Sequence, residues 1–244
     1  MSSIENNLRQ LKLTGMADSF SQRLKEAMTN QMPLESFLSL LIEDETLHRE
    51  QKKYQARYKK AGFKGHKTLD NFDFQFNPKL NQSLVTELST CRFIEEKSPI
   101  LIVGPCGTGK SHLAQALGHI ALKKGYSILC TTQQKLSDEL QAAKAINAYP
   151  RKIKALAKID LLIIDDFGLK PIRSPEDENL HELIAERYEQ KSTIITSNLA
   201  IDEWQQAFNN QLLGVATVDR LQHDAYTITI EGKSYRSRKN IKKK

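Results

Sequence analysis

The sequence has few cysteines and no long apolar stretch, and each shortage excludes a class of protein. The three cysteines, Cys91, Cys106 and Cys130, have neither the spacing of a metal site nor that of a disulfide framework. The longest apolar runs, Ile100–Val103 and Leu161–Ile164, fall far short of the roughly 20 residues that cross a bilayer. The N-terminus also lacks the basic start and apolar core of a secretory signal. We therefore expect a cytoplasmic protein with no membrane partner.

Acidic residues are almost missing from two segments, although the 244-residue chain has a net charge of only +7. Residues 49–67 hold eight Lys or Arg against a single Glu, and residues 233–244 hold seven and no acid. The remainder is therefore net negative, and both basic segments are candidates for contact with a polyanion. A solvated tail is an equally good interpretation of 233–244.

The run from Gly104 to Ser111, which we call the phosphate loop, reads Gly-Pro-Cys-Gly-Thr-Gly-Lys-Ser. It lies between an apolar stretch and a helical pattern. A strand, a glycine-rich turn and a helix form the context in which this pattern binds a nucleoside triphosphate. We expect Lys110 to reach the β- and γ-phosphates and the Ser111 hydroxyl to bind Mg²⁺, so the expected cofactors are ATP and Mg²⁺. The candidate nucleotide-binding residues are Gly104, Pro105, Cys106, Gly107, Thr108, Gly109, Lys110, Ser111 and His112.

Two carboxylates follow the apolar run Leu161–Ile164. We expect this run to be a buried strand next to the phosphate-loop strand, which would bring Asp165 to the metal ion. Asp166 is then the candidate general base that polarises the attacking water. A buried strand followed by an ordinary turn is the alternative, and the preceding phosphate loop favours the site.

Two further polar residues are candidates for a catalytic role. Asn198 ends a predicted strand, where it would face the γ-phosphate or cap a following helix over Leu199–Phe208. Arg220, expected between a helix and the last strand, is either an ordinary surface residue or an arginine supplied to the site of a neighbouring subunit.

Helical and strand patterns alternate after residue 68 and predict a parallel five-stranded α/β sheet covered on both faces. The predicted strands are 100–103, 127–131, 161–164, 193–196 and 227–230, and the predicted helices are 81–97, 110–124, 135–148 and 176–190. Apolar periodicity over 4–31 and from 34 onward predicts a small all-helical region before them. We thus predict a helical N-terminal domain (1–67), a P-loop domain (68–232) and a basic tail (233–244).

Several of these patterns resemble one family when they are taken in order. Gly104–Ser111, Leu161–Gly168, Thr196–Asn198, Gly214–Leu221 and Gly232–Arg236 are similar to motifs of AAA+ ATPases of the bacterial initiator and helicase-loader clade. The closer resemblance, to the IstB-like transposition helper ATPases of insertion sequences, rests on the segments Leu11–Ala17, Ser36–Leu38, Glu43–Glu50 and Lys67–Phe74.

The resemblance implies Asp165 on the metal, Asp166 activating water, Asn198 as sensor and Arg220 donated in trans. It also implies a homo-oligomeric ring or spiral on duplex DNA that directs a partner transposase. Asp166 departs from the usual AAA+ glutamate by one methylene. Only fourteen residues follow the last predicted strand, too few for a helical lid, so we expect a neighbouring subunit to complete the site. Arg236 is a weaker candidate for a substitute contact. The cluster Phe72, Phe74 and Phe76 belongs to the predicted linker, Thr68–Pro78, and either lines an adenine pocket or packs the linker against the sheet.

The basic segment 49–67 is the candidate DNA contact, and it has no set of Asn, Gln and Arg side chains suited to reading bases. We therefore expect sequence-independent, salt-sensitive binding; the alternative is a solvated helix with its aromatic residues buried. The candidate DNA-binding residues are Arg49, Lys52, Lys53, Arg57, Lys59, Lys60 and Lys64. Two rival functions remain open: a replicative helicase loader, whose N-terminal helices would hold a helicase, and a monomeric P-loop kinase of a small molecule.

Overall fold

The structure, a computed structural model, describes residues 3–235 and divides into two compact units, Met1–Arg57 and Tyr58–Lys244. The first unit contains α1 (Ser3–Gln10), α2 (Thr14–Thr29) and most of α3 (Leu34–Ala61), which continues past the boundary between the units. Two helices thus replace the single pattern expected over residues 4–31. No helix among residues 3–235 is long and apolar enough to cross a membrane.

A buried carboxylate holds α2 against α3 in the first unit. Oε2 of Glu45 accepts hydrogen bonds from the backbone N–H of Gly15 (2.7 Å) and Met16 (3.2 Å), two of the amides left unpaired at the start of α2. Arg23 lies further along α2 and makes a two-pronged pair with Asp44, each N–O distance being 2.9 Å. The helices of this unit are therefore joined by specific polar contacts in addition to apolar packing.

The second unit alternates helices and strands, as the sequence predicts. Three of its helices differ from the expected ones: 81–97 is broken at Cys91, whose φ is +63°, 135–148 ends early and is followed by an unforeseen helix, and a 3₁₀ helix over Ile201–Ala207 replaces the one expected at Leu199–Phe208. The elements are α4 (Gln82–Ser89), α5 (Arg92–Glu95), β1 (Ile100–Val103), α6 (Lys110–Lys123), β2 (Ile128–Thr132), α7 (Gln133–Ala145), α8 (Tyr149–Ala157), β3 (Leu161–Phe167), α9 (Glu176–Arg187), β4 (Ser192–Ser197), α10 (Gln211–Gln222) and β5 (Tyr226–Thr229).

The five strands form one parallel sheet in the order β2-β3-β4-β1-β5, which confirms the predicted fold class. One expectation about this sheet is wrong: β3 is not next to the phosphate-loop strand β1, because β4 lies between them. All residues of β1 and β4 are buried, since helices cover both faces of the sheet. Because the strands are parallel, their carboxyl ends meet at one edge, where the candidate site lies.

Candidate nucleotide-binding site

The phosphate loop leaves the carboxyl end of β1 and enters α6 at Lys110. Gly104, Gly107 and Gly109 all have positive φ values, of +144°, +81° and +106°, a conformation that residues with a side chain rarely adopt. The loop is braced from inside by Thr108, whose hydroxyl donates to the Pro105 carbonyl oxygen at 2.9 Å. The first turn of α6 therefore opens onto a preformed concave backbone, the geometry that binds an anion.

Three oxygen atoms surround the ammonium group of Lys110. Nζ donates to the carbonyl oxygens of Gly104 (2.7 Å) and Pro105 (2.8 Å) and to Oδ1 of Asn198 (2.7 Å). The structure therefore brings two candidate residues, 88 positions apart in the sequence, into direct contact. Asn198 does not cap the following 3₁₀ helix, because Ala200 occupies the N-cap position before Ile201.

A β-bulge places the two aspartates of β3. The strand runs to Phe167, beyond the predicted end at Ile164, and its register with β4 shifts between Ile164 and Phe167. Asp166 takes a φ of +58° in this bulge, which turns its side chain to the exposed side while Asp165 stays buried. A bulge is a common device for re-aiming a side chain next to a functional site.

Asp165 joins the phosphate loop to β4. Its Oδ1 accepts hydrogen bonds from the Ser111 hydroxyl (2.7 Å) and from the Thr196 hydroxyl of β4, and the Asp166 N–H donates to the same Thr196 oxygen at 3.3 Å. β4 therefore bridges the gap that the strand order creates between β1 and β3. Thr196 lay in a motif noted from the sequence, but its link to both aspartates was not predicted, since it depends on the neighbouring strand.

The phosphate loop borders a cavity of about 200 Å³. Phe72 lies on its wall, within contact distance of Gly109, and packs edge-on against the His112 ring at 5.4 Å between centroids. Nε2 of His112 donates to the Thr68 carbonyl oxygen at 2.8 Å, and burial lowers the pKa of His112. Of the three linker phenylalanines, Phe72 lines this cavity, whereas Phe74 packs edge-on against Phe72 and Phe76 packs edge-on against Tyr235. The described lining residues are Lys67, Asn71, Phe72, Asp73, Asn77, Cys106, Gly107, Thr108, Gly109, Lys110, Ser111, His112, Asp166, Asn198 and Tyr235.

Five of these lining residues were not candidates for nucleotide contact in the sequence. Lys67 was grouped with the DNA-binding segment, Asn71, Asp73 and Asn77 belong to the linker, and Tyr235 was noted only as part of the motif Gly232–Arg236. The amide group of Asn77 donates to the Thr108 carbonyl oxygen at 2.9 Å, so this buried side chain ties the linker to the phosphate loop. The positions of the linker residues follow from the path of the linker across the sheet edge, for which the local sequence carries no signal.

Arg220 lies apart from these residues. It is in the last turn of α10, rather than after a helix as expected, and its Nη1 donates to the Ala216 carbonyl oxygen at 2.8 Å. It borders a second cavity, of about 290 Å³, together with Pro99 and Lys191 at the starts of β1 and β4. Since the phosphate loop is at the carboxyl ends of the same strands, Arg220 is at the opposite edge of the sheet from its own chain's phosphate loop.

The basic candidates are distributed over both compact units. Arg49, Lys52, Lys53 and Arg57 lie in the first, where Arg49 pairs with Glu45 at 2.6 Å and Lys52 donates to the Thr14 hydroxyl at 3.2 Å. Lys59, Lys60 and Lys64 are exposed residues of the second unit. Arg236, together with the rest of the basic tail from residue 236 onward, lies outside the described residues.

A parallel sheet of this strand order, with a phosphate loop after β1 and paired carboxylates at the end of β3, defines a P-loop protein of the AAA+ class. Solved structures share this fold. The DnaC helicase loader is similar over 67% of this chain and 96% of its own length (TM-score 0.56, 23% identity). A DNA replication initiation factor is similar over 75% of this chain (TM-score 0.58, 23% identity). This chain spans little more than half of that factor, 55% of its length.

The chain belongs to the IstB-like ATP binding protein family, whose sequence pattern matches residues 6–243. A relative from Pseudomonas aeruginosa, the insertion sequence IS21 putative ATP-binding protein, is 33% identical over 242 residues, which are 99% of this chain and 91% of the relative. The family predicted from the motifs is thereby confirmed.

Proposed function

We propose that the protein is a Mg²⁺-dependent ATP hydrolase that works on DNA in the cytoplasm as the helper of an insertion-sequence transposase. The observation that carries the proposal is a pair of contacts beside the phosphate loop: Ser111 Oγ to Asp165 Oδ1, and Lys110 Nζ to Asn198 Oδ1, both 2.7 Å. Hydroxyl, carboxylate, ammonium and amide groups thus converge beside a phosphate loop. Membership of the IstB-like family and the name of its Pseudomonas aeruginosa member, an ATP-binding protein of an insertion sequence, support the same function.

The donor set fits a magnesium ion. Ser111 and Asp165 offer adjacent hydroxyl and carboxylate oxygens, and Mg²⁺ prefers oxygen ligands, often taking only one or two from the protein. Bound there, the ion would neutralise charge on the phosphates. Oδ1 of Asp165 would then exchange the Ser111 proton for the metal or its water, while the Thr196 hydroxyl keeps the carboxylate oriented.

The remaining polar groups have separable roles in hydrolysis. Lys110 would exchange the Gly104 and Pro105 carbonyl oxygens for β- and γ-phosphate oxygens, which are stronger acceptors because they are charged. The exposed carboxylate of Asp166 would accept a proton from the attacking water. Asn198 would hold that water or the γ-phosphate through its amide, and Arg220 of a neighbouring copy would stabilise charge in the transition state.

Assembly on duplex DNA is the second part of the proposal. Eight basic residues against one acid over 49–67 supply charge for phosphate contacts without side chains suited to reading bases. Arg220 lies at the sheet edge away from its own phosphate loop, and this favours a partner copy as its recipient. We propose that duplex DNA gathers the copies into a ring or spiral that the transposase recognises.

Hydrolysis assays on point variants test the nucleotide part. Lys110→Ala should abolish ATP binding because the loop loses its ammonium group. Asp166→Asn should bind ATP normally but hydrolyse it about a hundredfold or more slowly, since general-base catalysis contributes 10²–10⁴-fold. Wild-type turnover by Asp166→Asn in the presence of DNA would show that the base is another residue.

Stimulation assays test the DNA part against the two rival functions. We expect duplex DNA of any sequence to raise the ATPase rate and to sediment with the protein, with an affinity that falls steeply with salt. Replacing Lys52, Lys53, Lys59 and Lys60 by Ala should weaken this binding and leave ATP binding unchanged. Stimulation by a hexameric helicase alone would identify a helicase loader, and turnover that needs a small-molecule acceptor and no DNA would identify a kinase.

A further inference from the structure

The segment that follows β5, Glu231–Tyr235, folds back across the phosphate loop. The backbone N–H of Tyr235 donates to the Gly107 carbonyl oxygen at 2.8 Å. A Cβ added to Gly107 would lie 2.1 Å from the Ser234 hydroxyl oxygen, and one added to Gly104 would lie 2.1 Å from the Ile230 carbonyl oxygen. The glycines of the loop therefore give room to this segment as well as to phosphate groups.

The segment is also attached to the linker on the same side of the loop. The Tyr235 ring meets the Phe76 ring edge-on, with centroids 5.0 Å apart and planes at 90°. Lys79 pairs with Glu231 at 2.7 Å on the surface, and Gly232 lies beside the Asn77 side chain that holds Thr108. Linker, phosphate loop and segment are thus joined by contacts within one compact unit.

Two aromatic side chains line the nucleotide cavity, one from the linker and one from the segment Glu231–Tyr235. Phe72 comes from the linker and Tyr235 from the segment, and both line the cavity that begins at the phosphate loop. The rings of Tyr235 and Phe76 meet edge-on, and 36% of the Tyr235 surface stays exposed. The phosphate end of the cavity is lined by charged and amide groups, so the aromatic walls are left for the less polar end of a nucleotide.

We propose that Glu231–Tyr235 is a nucleotide clasp in which the Tyr235 ring packs against the base and ribose of the bound triphosphate. The inference rests on the proposed function, because it requires the cavity to bind a nucleotide. Aromatic rings stack on any base through its π-face, so Tyr235 supplies affinity rather than selection among bases. The subunit consequently builds its own nucleoside contact, and the neighbouring copy is needed for hydrolysis and not for binding.

Affinity measurements with two ligands test the clasp on the full-length protein. Tyr235→Ala should bind a nonhydrolysable ATP analogue roughly tenfold more weakly, in line with the loss of one aromatic–base contact. Its affinity for inorganic tripolyphosphate, which has no base or ribose, should stay as in the wild type. Tyr235→Phe should bind both ligands normally, because the ring is kept.

A matched control is Tyr226→Ala. Tyr226 begins β5 and its hydroxyl donates to Glu96 at 3.1 Å, at the opposite edge of the sheet from the phosphate loop, so both affinities should be unchanged. Unchanged ATP-analogue affinity in Tyr235→Ala would overturn the clasp. Equal losses for the analogue and tripolyphosphate would overturn it too, because they would mean that Tyr235 only shapes the phosphate loop.

The failure of the clasp and the failure of the proposed function are distinguishable. A wild-type protein that binds neither ligand, or binds the ATP analogue as well as Lys110→Ala does, contradicts the proposed function. A wild-type protein that loses the analogue with Lys110→Ala but not with Tyr235→Ala contradicts the clasp alone.

Discussion

Two hydrogen bonds of 2.7 Å join residues of different motifs: Ser111 Oγ donates to Asp165 Oδ1, and Lys110 Nζ donates to Asn198 Oδ1. The motif spacing predicted that Ser111 and Asp165 lie close together, because each motif has one chemical use. Thr196 was noted only as one of several small residues at a strand end. Its two hydrogen bonds to the aspartates of β3 depend on β4 being the neighbour of β3, which no local pattern encodes.

Arg220 gives a prediction about which copy it serves. Arg220→Ala should bind ATP like the wild type but hydrolyse it about a thousandfold more slowly on DNA, the lower end of what such an arginine contributes. Mixing Arg220→Ala with Lys110→Ala should restore part of the activity, because the Arg220→Ala copy has an intact pocket and the Lys110→Ala copy has an intact arginine. ATPase assays of the single variants and of their mixture measure both effects.

The control for this experiment is Arg173→Ala, which removes an exposed arginine from the same compact unit. It should hydrolyse ATP at the wild-type rate. No recovery in the mixture, with DNA binding intact in both variants, would place the effect of Arg220 within its own chain.

Among the elements, those with a strong repeating pattern were predicted well and those shaped by neighbours were not. β1 and α6 lie within one residue of their predicted bounds, because a buried strand and a helix with regularly spaced apolar residues carry their own signal. The bulge at Asp166 and the break at Cys91 both need a positive φ at a non-glycine residue, and no local sequence pattern predicts such a residue. The position of β4 between β1 and β3 is determined by the packing of the whole sheet and not by any local pattern.

Gly15 tests the packing of α2 on α3. A Cβ at this position would lie 2.7 Å from the Cβ of His48 and 2.8 Å from the Asp44 carbonyl oxygen, so the helices would have to move apart. Although alanine favours helices more than glycine, Gly15→Ala should lower the free energy of unfolding by about 1–3 kcal/mol. Denaturation followed by circular dichroism measures it. Lys25→Ala, at an exposed position of the same helix, should cost far less.

Arg187 tests how α8, α9 and β4 are joined. Its buried guanidinium donates to the carbonyl oxygens of Leu156 and Ile159 (both 2.8 Å) and of Ser192, and to the Thr193 hydroxyl at 3.1 Å. Burial lowers the pKa of Arg187, so the charge is held at an electrostatic cost that these acceptors offset. Arg187→Leu leaves these acceptors unpaired and should destabilise the unit by about 3–5 kcal/mol, since each buried acceptor without a donor costs about 1–3 kcal/mol.

Fluorescence of Trp204 reports this unfolding, because it is the single tryptophan and is fully buried against Phe167. Arg151→Ala, at an exposed position of α8, is the matched control and should leave the urea midpoint unchanged. A midpoint for Arg187→Leu equal to that of the control would mean that apolar packing at this place compensates for the lost hydrogen bonds.

The whole molecule should lose stability on acidification in two stages. Burial lowers the pKa of His112, His119 and His181 below the ordinary 6.5, so the unfolded chain binds their protons first as the pH falls. The histidine contribution to stability is thus complete above about pH 6.5 and declines below it. The pKa values of Asp44, Glu45 and Asp160 are also lowered, from the ordinary 3.8 or 4.5, so their contribution is lost as the pH falls below those ordinary values.

Urea midpoints at a series of pH values from about 7 to about 3 measure these stages. His119→Gln should flatten the first one, because the His119 ring is stacked on Phe63 at 3.9 Å and its Nε2 has no partner among residues 3–235. The carboxylate stage should persist in this variant. A midpoint that rises between pH 7 and 5 would contradict the sign of the histidine shifts.

The hydroxyl of Thr196 has a consequence for how events at the site are communicated. It contacts the Asp165 carboxylate and the Asp166 amide, and the strand that carries it leads two residues later to Asn198, which holds Lys110. A displacement of β4 by a fraction of an ångström would therefore reach the proposed metal ligand Asp165, the proposed base Asp166 and Lys110 together. If the site binds ATP as proposed, arrival or departure of the terminal phosphate at Lys110 and Asn198 would be transmitted to Asp165 and Asp166 through this one strand.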